Sequence, residues 1–204
     1  MVSWIDDFEG NKLNPKWVAT RISGGGQNNG VWTREVKDSK LYWKPTNSGT
    51  ESDVWGEKLS LPVNVPAGTD IKVEATWRIK ISGVGGFYPG VGMDSTNYVL
   101  NGVQTYAGAA GNPYLAGKST VGATNWPGFP SRNNIPLPSD VIVPMRIVRK
   151  NGYVFLYGYG MYIGSYSNNN AISNVNINLN AITTMLAIEI WLDWIRVTPS
   201  SVVL

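Results

Sequence analysis

An all-β, two-sheet antiparallel sandwich is the fold class this sequence predicts, and three observations predict it. Apolar and polar residues alternate with period two over short runs, and no stretch carries the 3.6-residue period of an amphipathic helix. The runs are broken by Gly, Pro, Asn and Asp, with 23 Gly and 12 Pro in the chain. Its 204 residues suit one domain over 1–204, long enough to bury a sizeable core without covalent staples. No repeat or linker divides it.

The individual strands read as follows. Val73, Ala75, Trp77, Ile79 and Ile81 lie on one face of a strand, and Glu74, Thr76, Arg78 and Lys80 on the other. That is the pattern of a half-buried antiparallel strand. Met145 to Gly160 reads as a hairpin turning at Asn151-Gly152, a dipeptide suited to the two positive φ angles of a tight hairpin turn. Its second arm sets Tyr153, Phe155, Tyr157 and Tyr159 on one face, and Val154, Leu156, Gly158 and Gly160 on the other. Two glycines fill little volume, so the aromatic face is the expected core face. Arg146, Arg149 and Lys150 read as the solvated end of a strand.

The last strand, Met185 to Val197, sets Ile188, Ile190, Leu192 and Trp194 against Glu189, Trp191, Asp193 and Ile195. In Asn168 to Asn180, Asn174, Asn176, Asn178 and Asn180 alternate with Val175, Ile177 and Leu179. This predicts a strand with an asparagine row on its outer face. Gly102 to Ser139 departs from the rhythm: it is long, rich in Gly and Pro, and holds Tyr106, Tyr114, Trp126 and Phe129 without an acidic residue. Connections of that length in small domains are often functional.

Composition removes whole classes of chemistry. The chain has no Cys and no His, so disulfides, Cys nucleophiles, Ser-His-Asp triads and histidine-bound zinc are excluded. Any metal must be held by oxygen, which points to calcium. Charged residues make up 15% of the chain, against about a quarter on average. A weakly charged surface rich in Asn, Ser and Thr suits neutral ligands such as sugars. The net charge of +3 comes without a dense basic stripe, so no nucleic-acid partner is expected. No membrane insertion is expected either, since no apolar run reaches the length of a span. No secretory signal is visible after Met1.

The ends of the chain carry a resemblance. Trp4-Ile5-Asp6-Asp7-Phe8-Glu9-Gly10, followed by Leu13-Asn14-Pro15-Lys16-Trp17, resembles the opening of concanavalin A-like glucanase and lectin domains. Leu192-Asp193-Trp194-Ile195-Arg196-Val197 resembles the closing strand of that superfamily. Arg146 to Gly160 and Gly90 to Tyr98 resemble strands between them. The resemblance implies a concanavalin A-like jelly roll, a fold that hosts lectins, glycosidases and structural proteins alike. It also implies a structural calcium on Asp193 with oxygens from the opening segment, where Asp6, Asp7 and Glu9 are available. The alternative for Asp193 is a pairing with Arg196 or with backbone donors.

Related glucanases carry catalytic carboxylates as Glu-x-Asp-x-Glu on one strand, and a glycosidase needs two that flank the scissile bond. The nearest echo here is Glu189-x-Trp191-x-Asp193, and pairs such as Glu51 with Asp53 or Glu57 are not singled out by pattern. No enzyme is expected. The leading expectation is a non-catalytic, carbohydrate-binding recognition module. Trp126, Tyr114 and Tyr106 would offer ring faces to a sugar, and Asn125, Asn133 and Asn134 would offer amides. The alternative is a structural or decoration protein of a virus particle or extracellular filament. For that role the uncharged asparagine strand, if at a sheet edge, and the apolar tail Ser200 to Leu204 would support self-association. An extracellular or virion-surface location is the expectation, with the compartment not fixed by the sequence. Glycoside hydrolase is third.

Overall fold

A computed structural model describes residues 3–23, 29–47, 49, 54–81, 90–94, 99–104, 114–119, 138–182 and 188–199, and among them it contains fourteen strands and no helix. They are β1 (Trp4–Asp6), β2 (Val18–Ser23), β3 (Val31–Lys37), β4 (Lys40–Asn47), β5 (Val54–Val65), β6 (Ile71–Ile81) and β7 (Gly90–Asp94) in the first half. The second half holds β8 (Val99–Gln104), β9 (Tyr114–Ser119), β10 (Asp140–Lys150), β11 (Tyr153–Gly158), β12 (Met161–Ser167), β13 (Ile172–Ile182) and β14 (Ile188–Pro199). Eight strands form one sheet in the order β12-β11-β10-β6-β14-β4-β3, with β1 also pairing β14. Six form the other, in the order β2-β5-β13-β7-β8-β9. All pairings are antiparallel. Alternation along each strand sends one set of side chains into the space between the sheets. Trp43, Trp55 and Trp77 are fully buried there among Leu, Ile and Val. Gly30 is required beside Trp55, since a Cβ would sit 2.5 Å from the indole.

The Asn151-Gly152 hairpin forms as expected, with φ of 50° and 78° and Lys150 opposite Tyr153. Its aromatic face is not the core face. Val154 and Leu156 are buried, whereas Tyr153 is 53% exposed. The reason is register: Leu156 pairs with Ile147 and Gly158 with Met145, and cross-strand partners share a face. Met145 from β10 supplies the volume that Gly158 lacks. Tyr159 and Gly160 are not strand but a second tight turn, with φ of 52° and 75°, leading into β12.

The last strand differs in a second way. Its register against β6 shifts between Leu192 and Trp194, so Asp193 is an extra residue, a β-bulge. Beyond it the alternation is inverted: Ile195 is buried in the core and Trp194 stands on the outer face with Trp191. The bulge falls where the neighbouring strand changes. Residues 190–192 pair with β4, and 195–197 with β1.

Arg149 is also not a solvated strand end. It faces the core side at 1% exposure. Its guanidinium donates to the carbonyls of Thr69 at 2.6 and 2.8 Å, of Pro66 at 3.0 Å, and of Asn170. Burial lowers its pKa, with Asp70 opposing the effect.

The asparagine strand is β13, and it lies inside the six-stranded sheet between β5 and β7. Its two edges are paired, so the edge contact that the alternation suggested is not available. Asn176, Asn178 and Asn180 face away from the core yet are buried, and Ser60 Oγ donates to Asn176 Oδ1 at 2.8 Å. The tail Ser200 to Leu204 lies outside the described residues.

Candidate functional site

The outer face of the eight-stranded sheet carries the aromatic side chains that register and bulge have turned outward. One row crosses it from strand to strand: Ile5 opposite Arg196, Arg196 opposite Glu74, Glu74 opposite Arg146, Arg146 opposite Tyr157, and Tyr157 opposite Tyr162. The neighbouring row sets Trp194 opposite Thr76 and Thr76 opposite Pro144. Between the two lies a cavity of about 270 Å³ with Glu74, Thr76, Pro144, Arg146, Tyr157 and Trp194 in its lining. Trp194 on β14 and Tyr157 on β11 are three strand spacings apart, about 14 Å between backbones. Their rings form two walls, and β6 and β10 form the floor.

Each wall is braced by an arginine. The Arg146 guanidinium lies 4.3 Å from the Tyr157 ring centre and that of Arg196 lies 5.5 Å from Trp194. Such contacts hold ring and cation together by the electron-rich ring face. Tyr162 packs on the far side of Tyr157, 5.8 Å between ring centres, and its hydroxyl donates to Ser165 Oγ at 2.8 Å. Lys72 pairs with Glu74 at 3.1 Å. Farther along the face, Tyr42 and Trp191 pack at 5.4 Å with Lys37 and Arg78 over their outer sides.

The sugar-binding residues expected from the long connection are not placed. Trp126, Tyr106, Asn125, Asn133 and Asn134 lie outside the described residues, and Tyr114 opens β9 at the edge of the six-stranded sheet. None of them is among the described residues of the cavity lining. Trp194 and Tyr157 were hidden in the sequence by the bulge and by Gly158 and Gly160. The one legible signal was Glu74 on the alternating polar face of β6.

Of the carboxylates expected to hold calcium, Asp193 and Asp6 have partners within the chain. Asp193 pairs with Lys40. Asp6 is buried and accepts from Phe8 N at 2.9 Å and from Trp17 Nε1 at 2.8 Å, an arrangement that pins the opening segment. Asp7 and Glu9 are exposed. Among the described residues no three acidic side chains come together.

The carboxylates also differ in environment. Glu189 pairs with Lys44 at 3.0 Å and Asp140 with Arg78 at 2.8 Å. Glu57 faces the core, where burial raises its pKa against the opposing pull of Arg34, 3.3 Å away, and a hydrogen bond from Trp32. Glu51 and Asp53 lie outside the described residues. Among the described lining residues Glu74 is the single carboxylate.

The fold is the concanavalin A-like jelly-roll sandwich. No protein-family model matches the chain, and no curated protein sequence does. Solved structures match it over nearly its whole length. The CBM2 module of the evolved Dit of Lactobacillus casei BL23 phage J-1 aligns with a TM-score of 0.70 at 7% identity, covering 96% of this chain and 95% of that one. A structure from work on the endo-acting O-glycanases that human gut microbiota express to initiate mucin breakdown aligns at 0.69 and 15%, covering 96% and 98%. The carbohydrate recognition domain of Emp47p aligns at 0.54 and 11%, covering 97% and 94%. At these identities the likeness defines the fold, and sites must be argued from this chain's own residues.

Proposed function

We propose that this chain is a non-catalytic carbohydrate-recognition module that takes a sugar between Trp194 and Tyr157. The observation that carries this is the cavity itself: two outward aromatic walls over a floor bearing Thr76, Glu74 and Arg146. A pyranose has C–H-rich faces that pack on rings and a rim of hydroxyls that need donors and acceptors. The cavity offers both, in the mixture of apolar walls and few polar groups typical of small-ligand sites. A single carboxylate among the described lining residues does not supply the acid and base pair that glycoside hydrolysis needs, which favours binding over cleavage. The neighbours with carbohydrate-recognition and CBM2 modules support the same reading.

The test is a glycan array followed by titration calorimetry on the best hit. Trp194→Ala and Tyr157→Ala should each weaken binding at least tenfold while keeping a cooperative melt. Unchanged affinity in both variants would overturn this site, and release of reducing ends from the bound glycan would overturn the non-catalytic reading. The match to a phage Dit module favours a second, compatible reading, a recognition module carried on the outside of a virus particle. Detecting the chain in purified particles would support it.

A further inference from the structure

We propose that the ligand is an uncharged oligosaccharide, with one unit in the cavity and the next on Ile142, Arg78 and Trp191. The inference rests on the recognition reading above and deepens it.

A repeat in the outer face carries it. In the cavity, Thr76 on β6 stands between Pro144 on β10 and Trp194 on β14. One pleat along the same three strands, about 7 Å away, Arg78 stands between Ile142 and Trp191. The bulge at Asp193 keeps the two rows in step, because it sets Trp191 and Trp194 opposite Arg78 and Thr76. Each row thus has an apolar side chain, a central hydrogen-bonding one and a tryptophan, in the same order across the sheet. The cavity holds about 270 Å³, and ligand sites commonly hold about 300–1,000 Å³. It therefore suits one ring, and the next unit of a chain lies on the face beside it.

The second row is open to a ligand and already fixed in place. Ile142 is 57% exposed, and the side chains of Arg78 and Asp140 are 50% and 44% exposed. Arg78 donates from Nε and Nη2 to the two Asp140 oxygens at 2.9 and 2.8 Å. Its guanidinium also lies 5.0 Å from the Trp191 ring centre, and Trp191 packs on Tyr42 of β4. Side chains held in this way lose little freedom when a ligand arrives.

The chemistry of the row selects the ligand class. Arg78 and Asp140 together carry no net charge, so the row has no excess charge to attract an ion. A guanidinium has more N–H donors, and a carboxylate more acceptor positions, than the two bonds between them use. Sugar hydroxyls both donate and accept, so neighbouring hydroxyls match such a pair. Ile142 and Trp191 on either side meet the C–H groups of the ring.

The probes for calorimetric titration of the full chain are glucose, galactose and N-acetylglucosamine, each with its β-1,4-linked dimer, trimer and tetramer. In at least one series the dimer or trimer should bind about tenfold or more tightly than the monomer. Ile142→Asn, at an exposed position, should remove most of that gain without lowering the melting temperature. Trp191→Ala should remove it as well, and both variants should keep the affinity for the monomer. Affinity that does not rise with length, yet is lost in Trp194→Ala, would overturn the second position and leave the recognition site standing. A rise with length that survives both variants would also overturn it. Binding of no member of any series would overturn both readings.

Discussion

The guanidinium of Arg149 donates two hydrogen bonds to one carbonyl, that of Thr69, at 2.6 and 2.8 Å. Further bonds to Pro66 and Asn170 make this buried cation the tie between the β5–β6 turn, the β12–β13 connection and the end of β10. Desolvation opposes it, so its value lies in the donors it brings to the carbonyls of Thr69, Pro66 and Asn170. Arg149→Met should cost about 3 kcal/mol, because several carbonyls lose a charged donor at once. Urea unfolding measures it; a loss no larger than that of an exposed lysine would mean the carbonyls are served by water.

Trp194 and Ile195 test the bulge. Ile195→Ala removes a buried side chain and should cost about 3 kcal/mol, whereas Trp194→Ala should cost about 1 kcal/mol. The regular alternation read from the sequence demands the reverse order, so chemical denaturation of the two variants decides between them.

Lys40 and Asp193 pair where β14 exchanges one neighbouring strand for another. Both side chains are partly in water, at 41% and 36% exposure, so Lys40→Met should cost less than about 1 kcal/mol. With the ammonium beside the carboxylate and no group of three acids among the described residues, melting temperatures in calcium and in chelator should coincide. A clear rise with calcium would show that backbone carbonyls complete a site around Asp193.

Glu57 makes stability depend on pH in a known direction. Its folded pKa is raised, first by burial, so the neutral form suits the fold better than the charged one. The stability this contributes is present below the unfolded pKa and is lost as pH rises through the folded one. The melting temperature of Glu57→Gln relative to the unaltered chain should therefore climb as pH goes from acid to neutral. A difference that stays flat, or falls, would mean that Arg34 outweighs the burial.

How much of this was legible in the sequence differs from residue to residue. On β6 the alternation from Val73 to Ile79 assigns both faces without help, because its run is regular and one class of residue is apolar throughout. On β11 the same rule misassigned the faces, since Tyr and Phe are as apolar as Val and Leu and only pairing with Ile147 and Met145 chooses between them. The ligand residues named from the long connection, Tyr114 apart, lie outside the described residues, and the cavity is assembled from β6, the β10–β11 hairpin and β14, which are far apart in the chain.

Sequence alone determined the local terms: period-two strands, the tight turn at Asn151-Gly152, the absence of Cys and His, and the opening and closing segments of a concanavalin A-like sandwich. Those follow from backbone geometry and side-chain chemistry within a few residues. Tertiary structure decided which face of β11 meets the core, that Asp193 bulges and turns Trp194 outward, and that Arg149 is buried. It also set Arg146, Glu74 and Arg196 in one row. The physical reason is that a side chain's face depends on the register of its partner strand, and register is set by the packing of the whole sheet.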